Sequence, residues 1–249
     1  MQEDLIFDIG LHRGLDAQFY MAKGFRVVGL EASAQLCERV RKENAAEVRS
    51  GALVIVERAL HERSGERVQF FINPEKDDWG SLYKGAAEKG VGYAVAASVE
   101  TISLADVVAA HGEPYYIKCD IEGADALFVR SLLHSQVRPK FVSIEATSAD
   151  DIARLLACGY DRFQIVNQYM NPYTKCPSPA REGRYAAASF GHESSGLFGH
   201  ELPPENWGDF TSTVKKFIDW YDLRARDPNL AVGWLDVHCC QESALGLRA

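Results

Sequence analysis

A chain of 249 residues, 47% hydrophobic and 25% charged, can bury the core of one α/β domain with an embellishment and is short for two. Its formal charge of −8 at pH 7 disfavours nucleic-acid and anionic-membrane partners, which select basic surfaces. No apolar run approaches the ~18 residues of a membrane span, and the chain enters its first strand with no room for a signal peptide, so a cytoplasmic protein is expected.

Taken in order, the apolar run 5–9 predicts a strand. Two glycines four apart, Gly10 and Gly14, then lead into an amphipathic stretch, 16–23, closed by Gly24 where a left-handed helix cap favours glycine. A strand at 26–30 ends beside Glu31 and is followed by a helix at 34–44 and strands at 53–57 and 68–72. Ser103 is a plausible N-cap for a helix at 103–111, which Gly112 terminates. Strands at 115–121, 140–145 and 162–166 then alternate with helices at 124–135 and 149–158. Such alternation with short connections predicts a doubly wound, mainly parallel sheet.

From Asn167 to Gly233 the composition turns to Gly, Pro, Ser, Tyr and Phe, with one convincing helix at 211–224. Strand-like composition returns at 233–238. Long aromatic segments of this kind inside a domain are usually lids or binding loops. The expectation is a single domain over 1–249, with 168–232 inserted between the last two strands as an aromatic lid on the ligand cleft. The six cysteines contain no C-x-x-C pair, which argues against zinc-finger and redox motifs and for reduced thiols.

The chemistry concentrates at strand ends. The first turn reads D-x-G-x-x-x-G from Asp8 to Gly14. Counted from Gly10, a dinucleotide fingerprint would need glycine at His12 and glycine or alanine at Leu15, and a phosphate loop would need a lysine that is missing. A tight strand–helix turn needs glycine for geometry alone, but Glu31 beyond the next strand is placed to hold ribose hydroxyls. Asp120 and Glu122 follow the strand at 115–121, and Glu145 ends the strand at 140–145. Ligands of open α/β sheets bind outside the carboxyl ends of the strands, so these acids outline a site.

Asp8-Ile-Gly10 with Gly14, Glu31, Lys118-Cys-Asp-Ile-Glu-Gly-Ala124 and Ile144-Glu145 resemble the FkbM family of S-adenosylmethionine-dependent methyltransferases. The stretch 101–106 and Ser81-Leu82 resemble it more loosely, and the likeness covers roughly 4–170. It implies a class I methyltransferase (Rossmann-like) fold: a doubly wound seven-stranded sheet with an antiparallel last strand, the long insertion lying before it. It also implies O-methyl transfer to a hydroxyl of a saccharide or a natural-product or cell-envelope precursor. Under the resemblance, Gly10 and Gly14 line the methionine end of the cofactor with Asp8 near its amino group. Glu31 accepts from the ribose, Ala59 lies near the adenine, and Asp120 stands at the mouth of the reaction chamber. His12 replaces a residue that is usually small and polar, so it is expected to meet cofactor or substrate in its own way. The N-terminal helical extension of the family is missing, and either the insertion or a second subunit of a homo-oligomer is expected to cover that side.

A hydroxyl acceptor needs its proton taken during attack, by a general base or with help from a metal. His238, expected to end the last strand, is the first candidate base because an ordinary imidazole titrates near neutrality. Glu122 is the second candidate catalytic residue; with Asp120 and Glu145 it could instead hold a magnesium-type cation. His192 and His200 are weaker candidates as base, and Lys175, Arg181 and Arg184 would suit a substrate phosphate. The competing functions are a non-catalytic cofactor-binding assembly subunit and a nicotinamide-dependent sugar dehydrogenase; the missing fingerprint disfavours the latter. The expected partner is a small molecule or glycan, with no nucleic acid.

Overall fold

The computed structural model describes residues 1–90 and 92–246. The first β/α alternation runs β1 (Gln2–Ile9), α1 (Leu15–Ala22), β2 (Arg26–Glu31), α2 (Ala34–Glu43), α3 (Ala45–Ser50) and β3 (Leu53–Glu57). A small appendage follows: β4 (Ala59–Leu60), β5 (Arg67–Ile72), α4 (Lys84–Ala87) and β6 (Val95–Ile102). The alternation resumes with α5 (Leu104–His111), β7 (Pro114–Cys119), α6 (Asp125–His134), β8 (Phe141–Glu145), α7 (Ala149–Ala157) and β9 (Arg162–Asn167). After a long connection come α8 (Phe210–Arg226) and β10 (Leu235–Cys240).

The main sheet has seven strands in the order β3-β2-β1-β7-β8-β10-β9. All pair in parallel except β10, which runs antiparallel to both β8 and β9. This is the class I methyltransferase topology. The strand at 68–72 lies outside this sheet: β5 pairs antiparallel with β6, which pairs in parallel with β4. Local caps fix the helix starts, Ser103 Oγ accepting from Asp106 N at 3.1 Å and Asp209 Oδ1 from Ser212 N at 2.7 Å.

Each face of the sheet buries its own apolar cluster. Under α5 to α8, Phe7, Ile117, Phe128, Val142, Leu155 and Phe217 are closed from solvent. The opposite face carries α1 with Val40 of α2 and Val48 of α3, and the insertion adds Phe190, Leu197, Phe198 and Leu202 to its cover. Phe198 enters that core 4.9 Å from the Tyr20 ring and stacks on Tyr116 at 5.0 Å, while Phe190 meets Phe19 edge-on at 5.0 Å. The buried Lys23–Glu201 ion pair and the Tyr115–Glu182 hydrogen bond tie the same segment down. The insertion therefore divides: Phe190, Leu197 and Phe198 pack on the back of the sheet, whereas Tyr173 and Tyr185 face solvent. Phe198→Ala is expected to cost about 3–5 kcal/mol, the usual range for emptying a buried aromatic site, measured by reversible denaturant unfolding. Among the described residues no helix is long and apolar enough to cross a membrane.

Candidate active site

The carboxyl ends of β1, β2, β3, β7 and β8 open into a cleft of about 1100 Å³. One drug-sized ligand fills roughly 300–1,000 Å³, so the cleft has room for a cofactor and an acceptor together. Its walls include Gly10, His12, Glu31, Ala59, Asp120, Glu122 and Glu145. Asp8, Gly14 and His238 are not among them.

The cofactor half is built on the first turn. Gly10 has φ +83°, and a Cβ there would stand 1.8 Å from the Asp120 carbonyl oxygen, so only glycine lets β1 and β7 close to this distance. The Gly10 and Leu11 amides donate to the Leu30 carbonyl, at 3.0 and 2.9 Å. His12, also at positive φ, donates its amide to Glu31 Oε2 at 2.9 Å, and Ser33 donates to Oε1 at 2.8 Å. Burial pushes the Glu31 carboxyl above its ordinary range, against these amides, which favour the charged form. The carboxylate is thus oriented from behind, and each oxygen keeps acceptor capacity for a diol in the cleft. A glycine-only approach beside an oriented acid at the next strand end fits a nucleoside cofactor.

Two assignments shift. Asp8 is fully buried behind the turn, with Lys118 Nζ 3.1 Å from its Oδ1 and no donor in hydrogen-bond geometry to either oxygen. Burial raises it to about 7, and it is not among the residues that line the cleft. Gly14 instead starts α1 at φ +72°, packed against Val40. The acid of this region that lines the cleft is Asp16, which accepts the Ser195 amide at 2.9 Å and lies 3.6 Å from Lys118. Lys118 also donates to the Gly10 carbonyl at 3.0 Å, so the lysine of the 118–124 motif is an internal brace for the turn.

The side chain of His12 turns to the segment overhanging the cleft, Nε2 lying 3.2 Å from Asp77 Oδ1. Arg13 holds Asp77 at 2.9 Å and Glu193 of the insertion at 3.0 Å. Burial alone would raise Asp77, but hydrogen bonds from His12 and Arg13 win and hold it below the usual carboxylate range. Arg13 and Asp77 had no signal in the sequence beyond Arg13's place inside the glycine turn, because the contact spans 64 residues.

The other half of the cleft is acidic and aromatic. Asp120, Glu122 and Glu145 bring one oxygen each within 4.8 Å of one another. Glu122 sits at φ +52°, its carbonyl accepting from Ser81 Oγ at 2.7 Å and its Oε2 from Lys89 at 2.8 Å. Burial, then the Asp120 charge, raises Glu122 to about 7 despite Lys89. Burial, then Asp120 and Glu122, raises Glu145 to about 8. Beyond Glu145 the wall continues through Gln168, His192, Arg224 and Trp234, with His192 stacked on Tyr169 at 5.1 Å.

His238 is not brought to this site. Because β10 runs backwards, its beginning meets the rim: Asp236 pairs with Glu145, while His238 lies two residues deeper, opposite Ser143 and Gln164. Burial drives its imidazole down to about 3, leaving a neutral ring sealed in the sheet. His238→Gln is expected to leave methyl transfer and cofactor affinity intact. It should also lessen sensitivity to acid: a depressed imidazole stabilises the fold above its unfolded value near 6.5 and loses that stability as pH falls toward 3. His200 lies away from the cleft beside Lys140, at 3.2 Å, and Arg184 is spent on the Ala22 carbonyl at 2.7 Å. Lys175 and Arg181 do not line the cleft either.

Solved structures with a related course of chain include methyltransferases at low identity. A precorrin-6y C5,15-methyltransferase from Geobacter metallireducens GS-15 is 10% identical over 97% of this chain and 82% of its own, TM-score 0.41. An S-adenosylmethionine-dependent O-methyltransferase from Thermotoga maritima is 8% identical over 96% and 60%, TM-score 0.40. No curated protein matches the chain in sequence. The family described as methyltransferase FkbM domain matches residues 8–172, most of the cofactor half together with the acidic cluster, and the chain belongs to that family of S-adenosylmethionine-dependent methyltransferases.

Proposed function

We propose that the protein transfers a methyl group to a hydroxyl of a saccharide, or of a related natural-product or cell-envelope precursor. The carrying observation is the pairing of raised carboxyls, Glu122 and Glu145, with an aromatic wall at the end of the cleft away from Glu31. S-adenosylmethionine supplies an electrophilic methyl on a sulfonium when bound, and Gly10, Glu31, Ala59 and Asp120, which line the cleft, would hold it. The chain's own contribution is to hold the acceptor in line and to take its proton.

Glu145 is the better base of the two. Glu122 is tied to Lys89 at 2.8 Å, whereas no described residue donates a hydrogen bond to the Glu145 side chain. A carboxyl raised to about 8 is a stronger base, once ionised, than an ordinary glutamate. Trp234 and His192 offer flat faces on which sugar C–H groups pack, and their polar edges suit hydroxyl-rich ligands.

The test is release of S-adenosylhomocysteine on incubation with S-adenosylmethionine and a panel of saccharides, with and without a chelator. Methyl transfer to a sugar oxygen that survives chelation supports the carboxylate base. Loss on chelation and recovery with magnesium would reassign Asp120, Glu122 and Glu145 to a cation. Cofactor binding with no transfer to any panel member would favour the non-catalytic subunit, and calorimetric binding of NAD alone the dehydrogenase.

A further inference from the structure

We infer that Arg224 forms an anion subsite at the acceptor end of the cleft, taking a carboxylate or phosphate carried by the acceptor. This deepens the proposed saccharide reading and rests on it only for the rest of the ligand. The cations lining the cleft are mostly spent. Arg13, Arg39, Arg58, Lys89 and Lys118 each lie within 3.1 Å of a carboxylate oxygen. Lys76 lies over Trp79, 5.9 Å from the ring centre, on the overhanging segment.

Arg224 differs from all of these. It has no carboxylate partner among the described residues, yet it is held in place. Its guanidinium carbon stands 5.0 Å from the Trp220 ring centre, and Nη1 donates to the Gly233 carbonyl. A carbonyl orders the group without neutralising it. Gly233 is itself fixed, since a Cβ there would stand 2.3 Å from Asn167 Oδ1, and Asn167 Nδ2 donates to the Val232 carbonyl at 2.8 Å. The loop carrying Trp234 is therefore pinned to the end of β9 on one side and to Arg224 on the other. A planar cation ordered this way, with Nε and Nη2 making no bond to any described residue, suits bidentate capture of a carboxylate or phosphate.

Its place in the cleft separates it from the cofactor. Arg224 lines the wall with Gly233 and Trp234, and Tyr221, one turn earlier on α8, donates to the Ala146 carbonyl next to Glu145 at 3.2 Å. An acceptor anchored by its anion at Arg224 and lying along Trp234 would present its other end toward Glu145.

The test uses the full chain loaded with S-adenosylhomocysteine, followed by the NMR indole resonances of its tryptophans. Inorganic phosphate and acetate are titrated first, so that the anion site is judged without any sugar. Saturable shifts in the wild type that vanish in Arg224→Met and weaken in Arg224→Lys, which keeps the charge without the planar fork, are expected; no saturable shift, or one unchanged in Arg224→Met, overturns the subsite. Glucose, glucuronate and glucose 6-phosphate follow. At least tenfold tighter binding of one anionic sugar over glucose, lost in Arg224→Met, is expected, and the stronger of the two tells carboxylate from phosphate. Glucose bound as tightly as both anionic sugars overturns the inference and leaves the saccharide reading standing. Saturable anion shifts with no sugar bound overturn the saccharide reading and leave the subsite. Unchanged affinity for S-adenosylhomocysteine in both variants certifies that the fold is intact, and an undisturbed Trp234 indole resonance before titration certifies the loop.

Discussion

Gly10→Ala is expected to weaken binding of S-adenosylmethionine and S-adenosylhomocysteine by about 100-fold or more, the scale of loss when a binding geometry moves by about 1 Å. The added Cβ would stand 1.8 Å from the Asp120 carbonyl oxygen and 3.3 Å from Ile121 Cγ2. Neither partner is the free end of a flexible chain, so the turn or the end of β7 must move. The conformation adds its own penalty, because at φ +83° an L side chain costs roughly 1–2 kcal/mol. Movement of the turn also carries away the His12 amide that orients Glu31. Titration calorimetry with S-adenosylhomocysteine is the measurement, with circular dichroism to establish folding. Wild-type affinity in a folded variant would show that the close approach of β1 to β7 is dispensable.

Glu145→Gln is expected to lower kcat by about 10²–10⁴-fold, the range for removal of a positioned base, with cofactor affinity unchanged. The wild-type rate should rise with pH as the coupled carboxyls ionise, since Glu122 is raised to about 7 and Glu145 to about 8; the apparent values belong to the group rather than to either residue. The same shifts act on stability with a definite sign. Both folded values exceed the ordinary 4.5, so their stabilisation is complete below about pH 4.5 and is lost as pH rises through 7 and 8. Each ionising group contributes a slope of up to about 1.4 kcal/mol per pH unit. Glu145→Gln should flatten this alkaline loss in denaturant titrations of the cofactor-free protein. A variant that keeps the wild-type rate with the flattened stability profile would leave the titration standing and remove Glu145 as base.

The main sheet was largely legible because its strands are short apolar runs separated by helical periodicity, and glycines mark several helix ends. Of the small sheet only β5 was, as the run 68–72. Val95-Ala-Ala-Ser-Val-Glu-Thr-Ile102 of β6 is mostly small and polar and lies in an appendage with little apolar face to betray it. Gly10, Glu31, Asp120, Glu122 and Glu145 could be placed because, in a parallel sheet, carboxyl ends share one rim. The same rule misplaced His238, since β10 alone is reversed and its beginning, at Trp234 and Asp236, meets the rim. The bracing role of Lys118, and the Arg13–Asp77 pair, were beyond reach for another cause: contacts across 108 residues and across 64 residues leave no local periodicity.

The division of the cleft along the chain has a consequence for how such a protein changes its chemistry. Gly10, Glu31, Ala59, Asp120, Glu122 and Glu145 all precede residue 146, whereas Gln168, His192, Glu193, Arg224 and Trp234 come from one contiguous later stretch. The family match ends at 172, near the point where that stretch begins. If the proposed roles hold, the donor's seat and most of the acceptor wall are then encoded in successive parts of the chain. A graft of 168–234 that is to carry a new far wall must therefore keep equivalents of Glu193 and Ser195, which bond Arg13 and Asp16 beside the first turn, and of Phe198 and Glu201, which close the back of the sheet.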